Sequence, residues 1–126
     1  VYRNKFSFMN IDELKGRYKN WAISVILLTR KLPNEPEFKA ARNQIVRSAP
    51  STAANYRAAC RGKSTPDFIN KLKIVEEELD ETMFWLEFIV ALLPDIRTEM
   101  LPIYKEADEL LSITVSSIKT ARKSNK

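Results

Sequence analysis

The acidic run from Glu76 to Glu81 is the part of this sequence whose residue types and spacing could most directly do chemistry. Glu77 and Glu81 are four residues apart, which on a helix places both carboxylates on one face, where they could coordinate a hard cation. Paired carboxylates also do acid–base work in glycosidases, but that reaction needs an open cleft. The alternative is a solvated or ion-paired helix face. We favour it because there is no histidine and no second acidic helix of matching pattern.

The absence of histidine excludes many common catalytic and metal sites. Among 126 residues there is none, so a Ser-His-Asp triad, a Cys-His dyad, a histidine zinc site and a carboxylate-histidine di-iron site are all ruled out. The single cysteine, Cys60, cannot form an intrachain disulfide. The charge of Arg61 could lower the pKa of the Cys60 thiol. The favoured interpretation is that Cys60 is a small residue of the core. We expect a protein without enzymatic activity, cofactor or metal, and keep a carboxylate metal enzyme as a minor alternative.

Basic residues form the second chemically suggestive group. The formal net charge is +5, and the signs separate along the chain. Residues 34–63 carry six basic and two acidic residues, whereas residues 66–93 carry seven acidic and two basic ones. Two interpretations stay open: the arginines pair with carboxylates of the next helix, or some remain free to contact phosphate. The candidate nucleic-acid-binding residues are Arg42, Arg57, Arg61, Lys63, Lys119 and Arg122.

Four helical segments must position these side chains. Only 2 glycines occur, too few for the turns of an all-β fold. Apolar residues at steps of three and four predict a first helix from an N-cap at Asn10 to Leu32. Ala22, Ile23, Ile26 and Leu27 widen its apolar stripe, which predicts burial on more than one side. This wide apolar face is one of two reasons to expect a homo-oligomer.

The second helix is predicted to begin at Asn34, to be kinked at Pro50 and to end with Gly62 as its C-cap. The segment from Ser48 to Ala54 is rich in small residues, and Asn55, directly beside it, is predicted to be buried and hydrogen-bonded.

The third helix is predicted to start with Thr65 as N-cap and to end before Pro94. Its core stripe consists of Phe68, Leu72, Val75, Leu79, Leu86, Ile89 and Leu93. A second apolar stripe on the same helix predicts an interface with another copy of the chain. Its residues are Ile74, Trp85, Phe88 and Leu92.

The fourth helix is predicted to begin at Thr98 or Pro102 and to end near Ala121. Short connections make consecutive helices antiparallel, which predicts an all-α, up-down-up-down four-helix bundle. We assign residues 1–9 to a flexible N-terminus, residues 10–121 to the bundle and residues 122–126 to a basic flexible tail. No run of eighteen apolar residues and no secretory signal is present, so we expect a cytoplasmic protein without membrane contact.

Several segments of this sequence resemble the four-helix-bundle family named after 23S rRNA intervening sequences. The most specific are ANYRAACR at residues 54–61 and IVEEELDE at residues 74–81, and the similarity spans roughly residues 10–118. The resemblance implies a small helical bundle with no established catalytic residues. The positions that match the polar signature of the family are Arg47, Asn55, Arg61, Glu77 and Glu81, interpreted first as structural and second as a binding surface.

The family is similar to the accessory variability determinant of diversity-generating retroelements. That resemblance implies a basic pentamer that binds nucleic acid and a reverse-transcriptase-type protein. Our first hypothesis is therefore an oligomeric module that binds RNA or a ribonucleoprotein partner. The competing hypothesis is a structural or protein-interaction oligomer with no role in nucleic-acid binding.

Overall fold

A computed structural model describes residues 10–124 and confirms the predicted four-helix bundle. The helices are α1 (Ile11–Thr29), α2 (Pro36–Ala59), α3 (Thr65–Leu92) and α4 (Arg97–Ser124), with a short 3-10 helix, Pro94–Ile96, before α4. Each helix packs against the next along the chain, and α4 returns to pack against α1. None of the helices in this part of the chain is both long and apolar enough to cross a membrane.

The start of α1 follows the predicted capping pattern. Asn10 Oδ1 accepts the backbone N–H of Glu13 at 2.7 Å, and Asn10 Nδ2 donates to Glu13 Oε1 at 3.0 Å. The predicted end at Leu32 was wrong, because α1 ends at Thr29. The next three amides donate to carbonyls three residues earlier, which tightens the chain before Pro33.

The structure also corrects the starts of α2 and α3. The N-cap of α2 is Glu35 rather than Asn34, because the following Pro36 holds Glu35 in an extended conformation. The N-cap of α3 is Ser64, whose hydroxyl accepts the N–H of Asp67 at 3.2 Å, so Thr65 is already helical.

The fourth helix is longer at both ends than predicted. It begins at Arg97, directly after the 3-10 helix, and it continues to Ser124 instead of ending at Ala121. The first three residues of the predicted flexible tail are therefore helical. The rest of that tail and the predicted flexible segment 1–9 lie outside the described residues.

The two helix-disrupting residues of α2 have different roles. Pro50 lies inside the helix, as predicted, on its exposed side, where water can bond the Val46 carbonyl that lacks its usual helical donor. Gly62 is not the predicted C-cap, since the cap is Cys60 and no described glycine has a positive φ. A Cβ on Gly62 would lie 3.0 Å from the carbonyl oxygen of Ala59 and 3.2 Å from the backbone nitrogen of Phe68. Glycine therefore allows α2 and α3 to approach closely at their shared turn.

The core follows the predicted stripes and contains paired hydroxyl groups. Five predicted core residues of α3 are fully buried, and Phe68 and Leu93 pack at its edge. Tyr18 of α1 is buried and stacks on Tyr56 of α2, with ring centroids 4.3 Å apart. Its hydroxyl lies 2.5 Å from Thr114 Oγ1 and donates to the Leu110 carbonyl at 3.3 Å. Every polar atom of this contact thus has a partner, which burial requires.

A second buried hydroxyl pair joins α2 to α3. Ser48 Oγ and Thr82 Oγ1 lie 2.7 Å apart, and the Thr82 hydroxyl also donates to the Glu78 carbonyl at 2.8 Å. The prediction that Asn55 is buried was wrong. Asn55 is half-buried, and its amide donates to the carbonyl and hydroxyl oxygens of Ser51, one turn earlier in its own helix. The small-residue segment of α2 does supply the polar contact between helices, but through Ser48.

Leucine substitutions at these two positions of α2 should have different effects. Ser48→Leu forces bulk between α2 and α3 and removes a partner of Thr82, so we expect the free energy of unfolding to fall by about 1–3 kcal/mol. Asn55→Leu breaks bonds within one half-exposed turn and should cost less than about 1 kcal/mol. Urea unfolding followed by circular dichroism measures both. Equal unfolding midpoints for the two variants would contradict this assignment of the buried contact.

Candidate nucleic-acid interface

The antiparallel topology collects cations from distant parts of the sequence at one end of the bundle. The start of α1 and α3 and the end of α2 and α4 share this end. The Tyr18 contacts place Tyr56 and Thr114 at one level. Arg57 lies one residue and Arg61 five residues beyond Tyr56. On α4, Lys119 and Arg122 lie five and eight residues beyond Thr114, about 8–12 Å along the helix axis. We define the basic end by Arg57, Arg61, Lys63, Lys119 and Arg122.

All five residues of the basic end are exposed. Among residues 10–124, none of their side chains forms an ion pair with a carboxylate. Arg57 lies in the last turn of α2 and Arg122 in the last turn of α4, where the free carbonyl groups of a helix attract positive charge. That attraction holds the cations locally but leaves their donors open to solvent, so they can contact an anionic ligand.

The structure removes Arg42 from the candidate set. Arg42 lies near the opposite end of α2, and its guanidinium is already bonded to three backbone carbonyl groups. Nε donates to Thr29 at 3.3 Å, and Nη2 donates to Leu32 at 3.0 Å and to Pro33 at 3.3 Å. These bonds satisfy carbonyls at and beyond the end of α1. Arg42 therefore holds the α1–α2 connection in place and is not available for phosphate.

The ion-paired interpretation holds for Arg47. Its guanidinium lies 3.4 Å from Glu78 Oε2 and also pairs with Glu81, which links α2 to α3. The two interpretations left open by the sequence thus apply to different arginines. Arg47 is ion-paired, whereas Arg57 and Arg61 of the basic end form no ion pair among the described residues. The proposed cation site at Glu77 and Glu81 loses one ligand to Arg47. Within residues 10–124 no group of three or more Asp, Glu, Cys or His side chains is arranged to hold a metal ion.

The single cysteine lies beside the buried tyrosines. Cys60 is half-buried, and burial raises the pKa of its thiol, because the thiolate would lose hydration. The sequence suggested that Arg61 lowers this pKa, but burial has the largest influence on it. A thiol with a raised pKa is a poor nucleophile at neutral pH, which fits a packing role.

The predicted oligomer stripe lies at the surface of α3. Ile74, Phe88 and Leu92 are exposed, and Trp85 is half-buried. Sequence analysis missed Phe84, which is 53% exposed and contacts Trp85 edge to face with ring centroids 5.0 Å apart. The spacing did carry a signal, because Phe84 lies four residues before Phe88 and eight before Leu92, along the same row of the helix. We define the aromatic ridge as Phe84, Trp85, Phe88 and Leu92.

A groove between α1 and α2 is a second exposed apolar surface, and the wide apolar face of α1 that the sequence indicated forms one of its walls. Ile23 and Leu27 were predicted to be buried, but they are 47% and 49% exposed. With Pro50 and Ala53 of α2 they line an open, mainly apolar space of about 460 Å³. The burial prediction was wrong because, in the part of the chain that the structure describes, only α2 packs near this side of α1 and leaves the outer face uncovered. We call this space the α1–α2 groove.

Comparison with known proteins agrees with the observed fold. The family described as 23S rRNA-intervening sequence protein matches residues 15–116. A similar solved structure is the crystal structure of a protein of unknown function from the S23 ribosomal protein family of Bacteroides thetaiotaomicron, with 34% sequence identity and a TM-score of 0.77. The match covers 85% of this chain and 99% of that chain. A search of curated proteins gives no match. This chain belongs to the family of 23S rRNA-intervening sequence proteins.

Proposed function

We propose that this protein is a non-enzymatic, cytoplasmic, oligomeric module that binds RNA, or an RNA-containing partner, through the basic end. The observation that carries the proposal is the convergence of five exposed cations from α2, the α2–α3 turn and α4. Among the described residues no ion pair neutralises them. The family description contains the name of a ribosomal RNA, which makes RNA the first polyanion to test.

The chemistry of the basic end favours contact with phosphate rather than with bases. Its donors are long cationic side chains, which match phosphate oxygens and carry little sequence information. Bases stack on exposed aromatic rings in many RNA-binding domains, but Tyr18 and Tyr56 are buried behind the basic end. We therefore expect weak sequence selectivity and strong dependence on salt concentration. A reverse-transcriptase-type protein is a further partner to test, on the resemblance to the accessory variability determinant alone.

The oligomeric part of the proposal rests on exposed apolar side chains. Burying one large apolar side chain stabilises a complex by roughly 1.5–3 kcal/mol, and the aromatic ridge presents several together. The resemblance to the accessory variability determinant favours five copies. The alternative function is a structural oligomer that binds no nucleic acid, and the same exposed apolar surface is the observation that favours it.

Charge reversal at the basic end should weaken RNA binding. The double substitution Arg57→Glu and Arg61→Glu places negative charge where phosphate would bind, so we expect at least a tenfold loss of affinity at low salt, since each phosphate contact adds a counterion-release contribution. Lys39→Glu with Lys105→Glu is the matched control, because it makes the same charge change on exposed residues away from the basic end. Titration of single-stranded RNA at several salt concentrations measures the effect. Absence of binding by the wild type at about 50 mM salt would favour the structural alternative.

Substitutions of Arg42 and Arg61 should distinguish an effect on stability from an effect on RNA binding. Arg42→Ala removes a charged donor to three carbonyls, so we expect the free energy of unfolding to fall by about 1.5–3 kcal/mol with RNA affinity retained. Arg61→Ala should change stability by no more than about 0.5 kcal/mol and should weaken RNA binding. Chemical unfolding and RNA titration on both variants give the comparison. Weakened RNA binding in folded Arg42→Ala would contradict its assignment as structural.

The molecular mass in solution tests self-association. Light scattering at micromolar concentration should return a multiple of the mass of the chain, with five copies as the expected number. The physical reason is the apolar surface that a single copy leaves in water. A mass equal to one chain would contradict the oligomeric part of the proposal and leave the RNA titration as an independent test of the rest.

A further inference from the structure

The charges on the outside of the bundle separate into two sides. Residues 14–34 and residues 38–66, which include nearly all of α1 and α2, contain no Asp or Glu. Over residues 74–92, α3 contains six acidic residues and no Lys or Arg. The α1–α2 side is therefore positive and the α3 side negative. Each side also carries one of the two exposed apolar surfaces.

The α1–α2 groove is concave, apolar and basic at its rim. Ile23, Ile26 and Leu27 of α1 form one wall, and Pro50 and Ala53 of α2 form the other. The charged residues that line it are Lys19 and Arg30, which are both exposed, and no carboxylate of residues 10–124 lines it. Such a groove fits an apolar projection with negative charge beside it.

The aromatic ridge has the complementary properties. Trp85 and Phe88 are in edge-to-face contact with ring centroids 5.2 Å apart, and Phe84 packs against Trp85, so the three rings support one another. Exposed carboxylates flank the ridge: Asp80 lies one turn before Phe84, and Glu87 is next to Phe88. The ridge is thus an apolar projection with acidic flanks.

We propose that the aromatic ridge of one copy docks into the α1–α2 groove of a second copy. This inference rests on the oligomeric part of the proposed function and assigns its interface. Apolar rings fill the apolar groove, while Asp80 and Glu87 approach the cations Lys19 and Arg30 of the other copy. Pairing of ridge with ridge would instead bring the carboxylates of two copies together, which like-charge repulsion disfavours.

Ridge and groove are different surfaces, so the contact is head to tail. Every copy uses its ridge toward one neighbour and its groove toward the other, and repetition closes a ring or extends a filament. The contact uses the charges of α3 and of the α1–α2 side but leaves the basic end uncovered. In a ring whose axis runs along the helices, all basic ends lie on one rim, where they increase avidity for a phosphate backbone.

Complementation between two blocked variants tests this arrangement. Phe84→Glu with Phe88→Glu blocks the ridge, and Ile23→Glu with Leu27→Glu blocks the groove; all four residues are exposed, so the fold should tolerate the changes. Each variant alone should lose the oligomer and have the mass of one chain. An equimolar mixture should show twice that mass, because one intact ridge meets one intact groove.

Thr98→Glu, an exposed position of α4 outside both surfaces, is the control and should keep the wild-type mass. Circular dichroism verifies the fold of every variant, and Phe84→Ser and Leu27→Ser replace any glutamate variant that unfolds. The mass of each sample is measured by light scattering.

Three results would overturn the inference while the wild type is oligomeric: a groove variant with wild-type mass, a ridge variant with wild-type mass, or a mixture that stays at the mass of one chain. A wild type with the mass of one chain overturns the oligomeric part of the proposed function and the docking with it. If the wild type is oligomeric but does not bind RNA, only the RNA-binding part of the proposed function is contradicted. The two failures are therefore distinguishable.

Discussion

The packing of Tyr18 in the centre of the bundle is the interaction on which the rest of the structure depends. Its ring stacks on Tyr56 of α2 and its hydroxyl bonds to Thr114 and Leu110 of α4, so one side chain sets the relative level of three helices. Burial raises the pKa of Tyr18, which keeps its hydroxyl protonated and able to donate. With α1, α2 and α4 in this register, cations that are about sixty residues apart along the chain reach the same end of the bundle.

Arginines in this protein divide into those that the fold uses and those that it leaves in solvent. Arg17 links α1 to α4 through Glu106, with Nη2 2.7 Å from Oε1, and Arg47 links α2 to α3. Arg42 bonds to the carbonyls around the end of α1. These three satisfy internal partners, and the paired carboxylates no longer attract other cations. The positive charge that remains is concentrated at the basic end and along the outer side of α1 and α2, which is the distribution that a polyanion or an acidic surface would meet.

The exposed apolar residues have the same division between two sides. A small bundle gains stability from every apolar side chain that it buries, so a ridge of aromatic rings and an apolar groove left in water are costly for a protein that acts alone. One of these apolar surfaces lies on the positive side of the bundle and the other on the negative side, so the two surfaces differ in charge. The proposed RNA contact and the proposed self-association then use separate parts of one molecule, because the basic end is outside both apolar surfaces.

The sequence by itself determined the features that depend on neighbours along the chain. The four helices, the Asn10 cap, the position of Pro50 within α2 and the buried stripe of α3 all follow from local bonding and from periodic apolar residues. Local pattern was enough to place Lys63, Lys119 and other cations in the candidate site, since long charged side chains stay in water.

Only the tertiary structure decided which of these residues act together. Arg42 and Arg57 look alike in the sequence, but Arg42 meets three carbonyls from the α1–α2 connection, and Arg57 meets none of the carboxylates of α3. Leu27 continues an apolar pattern, yet none of the helices in residues 10–124 covers its side of α1. The physical reason is the same in each case: burial, pairing and exposure depend on atoms that arrive from other helices, and the periodicity of one helix does not specify where those atoms will be.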